Sequence, residues 1–138
     1  MLNRYQKLAA RLDDGELILI DGATGTEIER RGVPQLKNAW NGGGALSHPD
    51  VVREVHRDYI GAGAQIIISN TFATSRHALD DAGVAEHFDA LNRRGVELAV
   101  EARERSANPD IVVAGGISYW SWTGDKPGLN TLKQSITE

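Results

Sequence analysis

The sequence predicts an α/β protein built on a parallel sheet, and three observations predict it. Short apolar runs rich in β-branched residues occur at 17–20, 66–68 and 111–114. Each is wholly apolar, the pattern of a strand buried on both faces. The stretches between them place apolar residues at helical spacing, so the runs read as strands joined by right-handed βαβ crossovers. Every run also leads into small and polar residues: Asp21-Gly22, Ser69-Asn70-Thr71 and Gly115-Gly116. Crossovers of one hand bring those three ends to one edge, where parallel α/β folds bind ligands.

The elements follow in the order αβ(loop)αβαβ(loop)α. Residues 2–12 carry Leu2, Tyr5, Leu8, Ala9 and Leu12 on one helical face, closed by Asp14-Gly15. The first strand and its acid-glycine turn lead into a polar, helix-like stretch. Residues 33–47, with Gly42-Gly43-Gly44, read as a long loop. Ser47 or His48 caps the next helix, Pro49 suits its first turn, Asp50 complements its dipole, and Gly61 and Gly63 end it. Val51, Val52, Val55, Tyr59 and Ile60 form its apolar face. A short helix is expected at 75–81 and a longer one at 85–106, whose interior Gly95 marks close packing because it costs about 1 kcal/mol against alanine. After the third strand comes a loop with Tyr119, Trp120 and Trp122, and residues 131–138 begin another helix.

Composition bounds the function. The chain has 138 residues, one ordinary domain by length, and is 41% hydrophobic and 25% charged, so it has the makings of a core. A net charge of −4 gives no electrostatic reason to expect nucleic acid. No apolar run approaches a membrane span, and the first fifteen residues lack a signal-peptide core, so a cytoplasmic protein is expected. Cysteine is absent, which excludes disulfides and thiolate metal sites made by this chain alone.

The candidate site residues have two readings each. Asp21 is either an acceptor for a ligand, with Gly22 and Gly25 letting that ligand approach the backbone, or the cap of a tight turn. The stretch lacks the G-x-G-x-x-G spacing of a dinucleotide site and the Lys-Ser/Thr of a phosphate loop. Ser69, Asn70 and Thr71 either orient a polar ligand or satisfy backbone groups at a strand end. His48, His56, His77 and His87 show no metal spacing, and His56, between Arg53 and Arg57, is expected on the surface. Trp40, Trp120 and Trp122 either cap the core or wall a ligand site that suits a cation.

Taken together, DGATGTEIERRG, a loop tryptophan, SHPDVVREVHRDYIGAGAQIIISNTFATS and VAGGIS resemble the homocysteine S-methyltransferase domain, in order and spacing, over roughly residues 16–124. The resemblance implies a (β/α)8 TIM barrel, of which this chain would supply the first three βα units and a partial parallel sheet. It also implies homocysteine and a methyl donor as partners, and a zinc ion held by three cysteines that keeps the substrate sulfur a thiolate. By position, Asp21 falls on the acid that takes the homocysteine amino group, with Gly22 beside it. Ser69, Asn70 and Thr71 match the second strand end of the pocket, and Gly115 and Gly116 the third. Trp40 falls where betaine users place an aromatic against the donor. The tyrosine those enzymes carry after Thr-Phe is Ala73 here, so S-methylmethionine, methylfolate or a similar donor is favoured over betaine.

The resemblance also implies a gap. The zinc cysteines belong to the second half of the barrel, a full barrel takes about 250 residues, and this chain holds no cysteine. The expectation is a single partial barrel domain over 1–138: an N-terminal helix at 1–15, the family-like region at 16–124, and the start of a helix at 125–138. Such a chain would contribute substrate contacts and be inactive alone. The alternative is a non-catalytic binding or assembly module. Three parallel strands leave open edges, so closure by a second copy or by a second barrel fragment is expected in either case.

Overall fold

The computed structural model describes residues 2–124 together with Gly128, Asn130 and Lys133. The helix expected at 131–138 falls, Lys133 excepted, outside the described residues.

Helix α1, Arg4–Asp13, starts at a reciprocal cap: the Asn3 side chain accepts from the Gln6 N–H, and the Gln6 side chain accepts from the Asn3 N–H. It lies across the amino-terminal ends of the strands, where Arg4 Nε donates to the Pro109 carbonyl at 2.6 Å and Lys7 pairs with Asp110 at 2.9 Å. Its expected apolar face is only partly used. Leu8 is buried, whereas Leu2, Tyr5 and Leu12 are exposed.

Residues 17–21 run alongside the central strand without forming a full ladder. Ile20 bridges Ile66 in parallel, Gln65 N donates to Leu19 O at 2.8 Å, and Asp21 N donates to Ile66 O at 2.9 Å. Helix α2, Thr24–Arg30, follows at once. The stretch expected to be a plain loop at 33–47 is more ordered than that. It holds a bridge between Leu36 and Trp40, a 3-10 turn at Asn41–Gly43 and the short helix α3, Gly44–Ser47. The glycine run serves close packing: a Cβ on Gly42 would lie 3.0 Å from the Ala73 carbonyl, and one on Gly44 would touch Val52.

Helix α4, Pro49–Gly61, has Pro49 in its first turn, and β1, Ile66–Ile68, succeeds it. Helix α5, Arg76–Asp81, a 3-10 turn at Ala85–His87, and α6, Phe88–Glu104, lead to β2, Val112–Ala114. β1 and β2 pair in parallel, Ile66 opposite Val112, Ile67 opposite Val113 and Ile68 opposite Ala114. The three chain segments therefore lie side by side in sequence order, and α4 and α6 are the crossovers. One core cluster joins Ile28, Val33, Ala45, Val52, Val55 and Leu98; another joins Ala64, Ile67, Ala99 and Ile111.

Two expectations are corrected. Burial on both faces holds for none of the three runs: Leu17 is 91% exposed, Leu19 and Ile20 are more than half exposed, Ile67 alone of β1 is buried, and β2 is half-buried throughout. Among the described residues nothing covers the inner face of residues 17–20 or pairs with their far edge. His56 is not on the surface but wholly buried, and neither ring nitrogen has a partner. The reason is helical phase: 52, 55, 56 and 59 share one face, while Arg53 reaches Asp50 and Glu101 of α6 and Arg57 turns to Glu54. The charges on either side concealed that phase.

Burial holds the His56 pKa down at about 4, against an ordinary 6.5. Between those values the unfolded chain takes up a proton that the folded chain does not. The stability His56 permits is thus present above pH 6.5 and lost as pH falls towards 4. Urea midpoints should show a loss of about 2 kcal/mol between pH 7 and pH 5 from this one group. The change should shrink by that amount in His56→Leu; an identical pH profile in the variant would clear His56 as the cause.

Candidate functional site

The site is assembled from the carboxyl ends of the three aligned segments. Asp21 is 8% exposed, and its two oxygens have different surroundings. Oδ2 accepts the Ile68 N–H at 2.8 Å, tying the first segment to the end of β1. Oδ1 is buried and has no partner. Desolvation raises the carboxyl pKa, and the hydrogen bonds from the Ile68 N–H and from its own backbone N–H oppose that rise. Beside it, Gly22 leaves room for Tyr59: a Cβ at Gly22 would sit 3.0 Å from the phenol oxygen.

Past β1, Thr71 clasps the third segment. Its Oγ1 donates to the Gly116 carbonyl at 2.9 Å and accepts the Gly116 N–H at 3.0 Å. Its single proton is thereby used, so Ser69 Oγ is the donor in the 2.9 Å contact between the two hydroxyls. Asn70 Nδ2 donates to the Asn41 carbonyl at 2.9 Å, fastening the Trp40 loop to the end of β1. Gly95 of α6 lies directly behind, where a Cβ would meet Thr71 Cγ2 at 3.1 Å and the Asn70 carbonyl at 3.3 Å. The close packing expected of Gly95 is therefore packing against the site itself.

These ties enclose a cavity of about 180 Å³, with Gly22, Trp40, Asn41, Ser69, Asn70 and Phe72 in its walls. Four of the eight residues singled out from sequence thus meet there: Gly22, Trp40, Ser69 and Asn70. Asp21 stands immediately behind Gly22. Thr71 and Gly116 form the clasp and are not in the cavity wall, and Gly115 is exposed, with open space where a side chain would go.

Trp40 carries a φ of 43°, a backbone region that costs a tryptophan of order 1–3 kcal/mol. Contacts hold it there: its ring packs on the Cα side of Gly25, where a Cβ would be 3.3 Å away, and Trp122 lies 6.1 Å off, with Trp120 5.9 Å beyond that. The loop bearing these indoles is anchored to α5. His77 Nε2 donates to the Trp120 carbonyl at 2.8 Å, and Asp81 accepts from the Ser121 and Thr123 hydroxyls.

Two residues of the cavity wall and one behind it carry no sequence signal of their own: Phe72 stands within the strand-end motif, and Tyr59, packed against Gly22, falls on the apolar face of α4. Asn41, just before the glycine run, read as loop composition, yet it is 2% exposed with neither side-chain amide atom partnered.

A zinc site made of thiolates does not fit the residues of this chain. The sequence has no cysteine, and among the described residues no three His, Cys, Asp or Glu side chains group to hold an ion. Among them, too, no helix is long and apolar enough to cross a membrane.

A parallel α/β array with a cavity at its carboxyl strand ends is the arrangement at which such folds bind small molecules. The profile of the family described as Homocysteine S-methyltransferase matches residues 18–136, and the chain belongs to that family. It is 34% identical over 131 residues to the Homocysteine S-methyltransferase of Escherichia coli (strain K12), covering 90% of this chain and 42% of that protein. With the Betaine--homocysteine S-methyltransferase 1 of Xenopus laevis it shares 35% identity, over 80% of this chain and 28% of that one. The crystal structure of the homocysteine methyltransferase MmuM from Escherichia coli, metallated form, superposes with a TM-score of 0.68 at 31% identity, covering 86% of this chain and 42% of that chain. The chain therefore spans less than half the length of these relatives.

Gly95→Ala tests the packing behind the site. In an unconstrained helix interior this change stabilises by roughly 1 kcal/mol. Here the new methyl presses on the Asn70 carbonyl, so thermal unfolding should show no gain and a loss of about 1 kcal/mol. A rise in Tm would mean that residues 69–71 are not pinned by α6.

Proposed function

We propose that this chain supplies the homocysteine-binding rim of a homocysteine S-methyltransferase, as the first three βα units of a (β/α)8 barrel. The observation that carries the reading is the divided carboxylate of Asp21. One oxygen is committed to the Ile68 N–H, and the other is desolvated and unpartnered. A buried acceptor beside a cavity suits an ammonium group, which would replace the lost hydration with a charge-assisted hydrogen bond. The amino group of homocysteine is such a group. Family membership, and relatives named for homocysteine, support that substrate over other amines.

The methyl group would come from S-methylmethionine, a methylfolate or a similar donor on the Trp40 side of the cavity. Binding both reactants against one rim turns a bimolecular encounter into an oriented one, which is the catalytic contribution this chain's residues can make. A thiolate-held zinc, which the family resemblance implies, would supply sulfur activation, and this chain has no cysteine to hold it. Substrate binding is accordingly the role proposed for these residues, and activity would require ligands from outside this chain.

A second reading, a non-catalytic module that assembles with a second copy or another barrel segment, is favoured by one feature. Leu17, Leu19, Ile20 and Ile117 leave an apolar sheet face and edge exposed, the kind of surface that is normally covered. The two readings share the rim and differ in what closes it.

Asp21→Asn in the intact protein separates them from accidental packing. The asparagine carbonyl can keep the Ile68 N–H bond, so the fold should survive. The charge partner for an ammonium is gone, and homocysteine affinity by calorimetry should fall roughly ten- to hundredfold. Unchanged affinity would remove Asp21 from the site.

A further inference from the structure

Three indoles stand in series at the cavity mouth. Trp40 is in the cavity wall, Trp122 lies 6.1 Å from it, and Trp120 lies 5.9 Å from Trp122. Trp120 and Trp122 are 55% and 42% exposed, so burial in a core does not account for them. Their loop and the Trp40 turn are distant in sequence, and rings on two separate loops make one wall only where something fixes the loops to each other.

Asp81, the last residue of α5, is bonded to both. Its carbonyl accepts from Asn38 Nδ2 at 2.8 Å. Asn38 has a left-handed φ of 65° and lies inside the turn that closes where the Leu36 N–H donates to the Trp40 carbonyl at 2.7 Å. The Asp81 carboxylate Oδ2 accepts from the Ser121 and Thr123 hydroxyls at 3.3 and 3.0 Å, the residues on either side of Trp122. One turn earlier in α5, His77 Nε2 donates to the Trp120 carbonyl. The Trp40 turn also has apolar support, because Ala39 packs with Leu79 and Leu91. The Trp122 loop has less, since Trp120, Trp122 and Thr123 are exposed, and its polar ties to α5 matter correspondingly more.

We propose that Asp81 is a positioning residue for the methyl donor. Its carbonyl places the Trp40 turn, its carboxylate places the Trp122 loop, and the indoles are thereby aligned into one wall on the donor side of the cavity. Asp81 does not line the cavity itself, so it acts on the donor only through the rings. This rests on the donor reading above and assigns to it the two tryptophans that reading leaves unused. Without the carboxylate tie the donor meets Trp40 alone.

The test titrates the intact protein by calorimetry with homocysteine and with two donor probes, S-methylmethionine and methyltetrahydrofolate. Near-UV circular dichroism reports the coupling of the indoles. Asp81→Ala should weaken the donor that wild type binds by about tenfold and reduce the indole signal. Homocysteine affinity should stay unchanged, because the ties from Asp21 to Ile68 and from Asn70 to Asn41 are untouched. Asp81→Asn keeps an oxygen that accepts from a hydroxyl and should restore most of both losses. Asn38→Gly, which suits the left-handed backbone and removes only the tie to the turn, should also weaken the donor. Should Asp81→Ala fail to fold, Thr123→Val removes one of the two hydroxyl donors and should shift donor affinity in the same direction. Donor affinity unchanged in these variants, or donor and homocysteine weakened alike, would overturn the assignment and leave the donor reading standing. A wild type that binds homocysteine but neither probe would overturn the donor reading with it.

Discussion

The hydrogen bond from the Ile68 N–H to Asp21 Oδ2 is the contact on which the rest of the site depends. The paired strands are only three residues long, and the 17–21 segment is held by a handful of backbone bonds. Ladders this short register the strands weakly, yet a binding site at their ends needs those ends aligned to within a fraction of an ångström. Side-chain ties provide the alignment. Asp21 joins the first segment to the second, and Thr71, bonded to both the N–H and the carbonyl of Gly116, joins the second to the third. Anchoring one oxygen fixes the carboxylate, and the second oxygen is left buried and unpaired.

Close packing behind the rim turns these ties into a rigid floor. Gly95 lets α6 approach Asn70 and Thr71, Gly42 lets the Trp40 loop approach Ala73, and Gly22 admits Tyr59. Each glycine serves by lacking a Cβ, and φ is unexceptional at all three. The strain at Trp40 belongs to the same design: a left-handed backbone at a large aromatic is accompanied by packing of its ring on Gly25 and against Trp122. Rigid backing and an open front are distributed unevenly. Helices α4 and α6 pack on the paired strands, while Leu17, Leu19 and Ile20 stand exposed on alternate faces of the first segment. The rim is thus complete in its own contacts while the sheet that bears it is open, which is consistent with a chain that spans less than half the length of its relatives.

Much of this was legible in the sequence, for physical reasons that differ by element. Short β-branched runs flanked by glycine and polar residues marked β1 and β2 as strands, although Ile67 alone of β1 is buried and β2 is half-buried throughout, and Pro49 marked the start of α4 because its missing N–H costs nothing there. Gly95 was legible as a packing position because its presence in a helix has no local justification. The first strand misled, since a run such as LILI signals hydrophobic burial without saying whether the covering layer lies within the chain. His56 misled because its neighbours in sequence are charged while its neighbours in space are one helical turn away. Asn41 was illegible: burial without a partner is a property of three-dimensional surroundings, and an asparagine beside three glycines looks like a turn.

The proposed role of Asp21 is to hold a ligand ammonium with the oxygen its backbone tie leaves free. The most direct measurement is the titration of the Asp21 carboxyl carbon by NMR, without and with saturating homocysteine. Without ligand, burial should hold its pKa above the ordinary carboxylate value. With homocysteine bound, the adjacent positive charge should bring the pKa down, because it favours the ionised carboxylate. A titration curve that stays in place at saturation would contradict the claim.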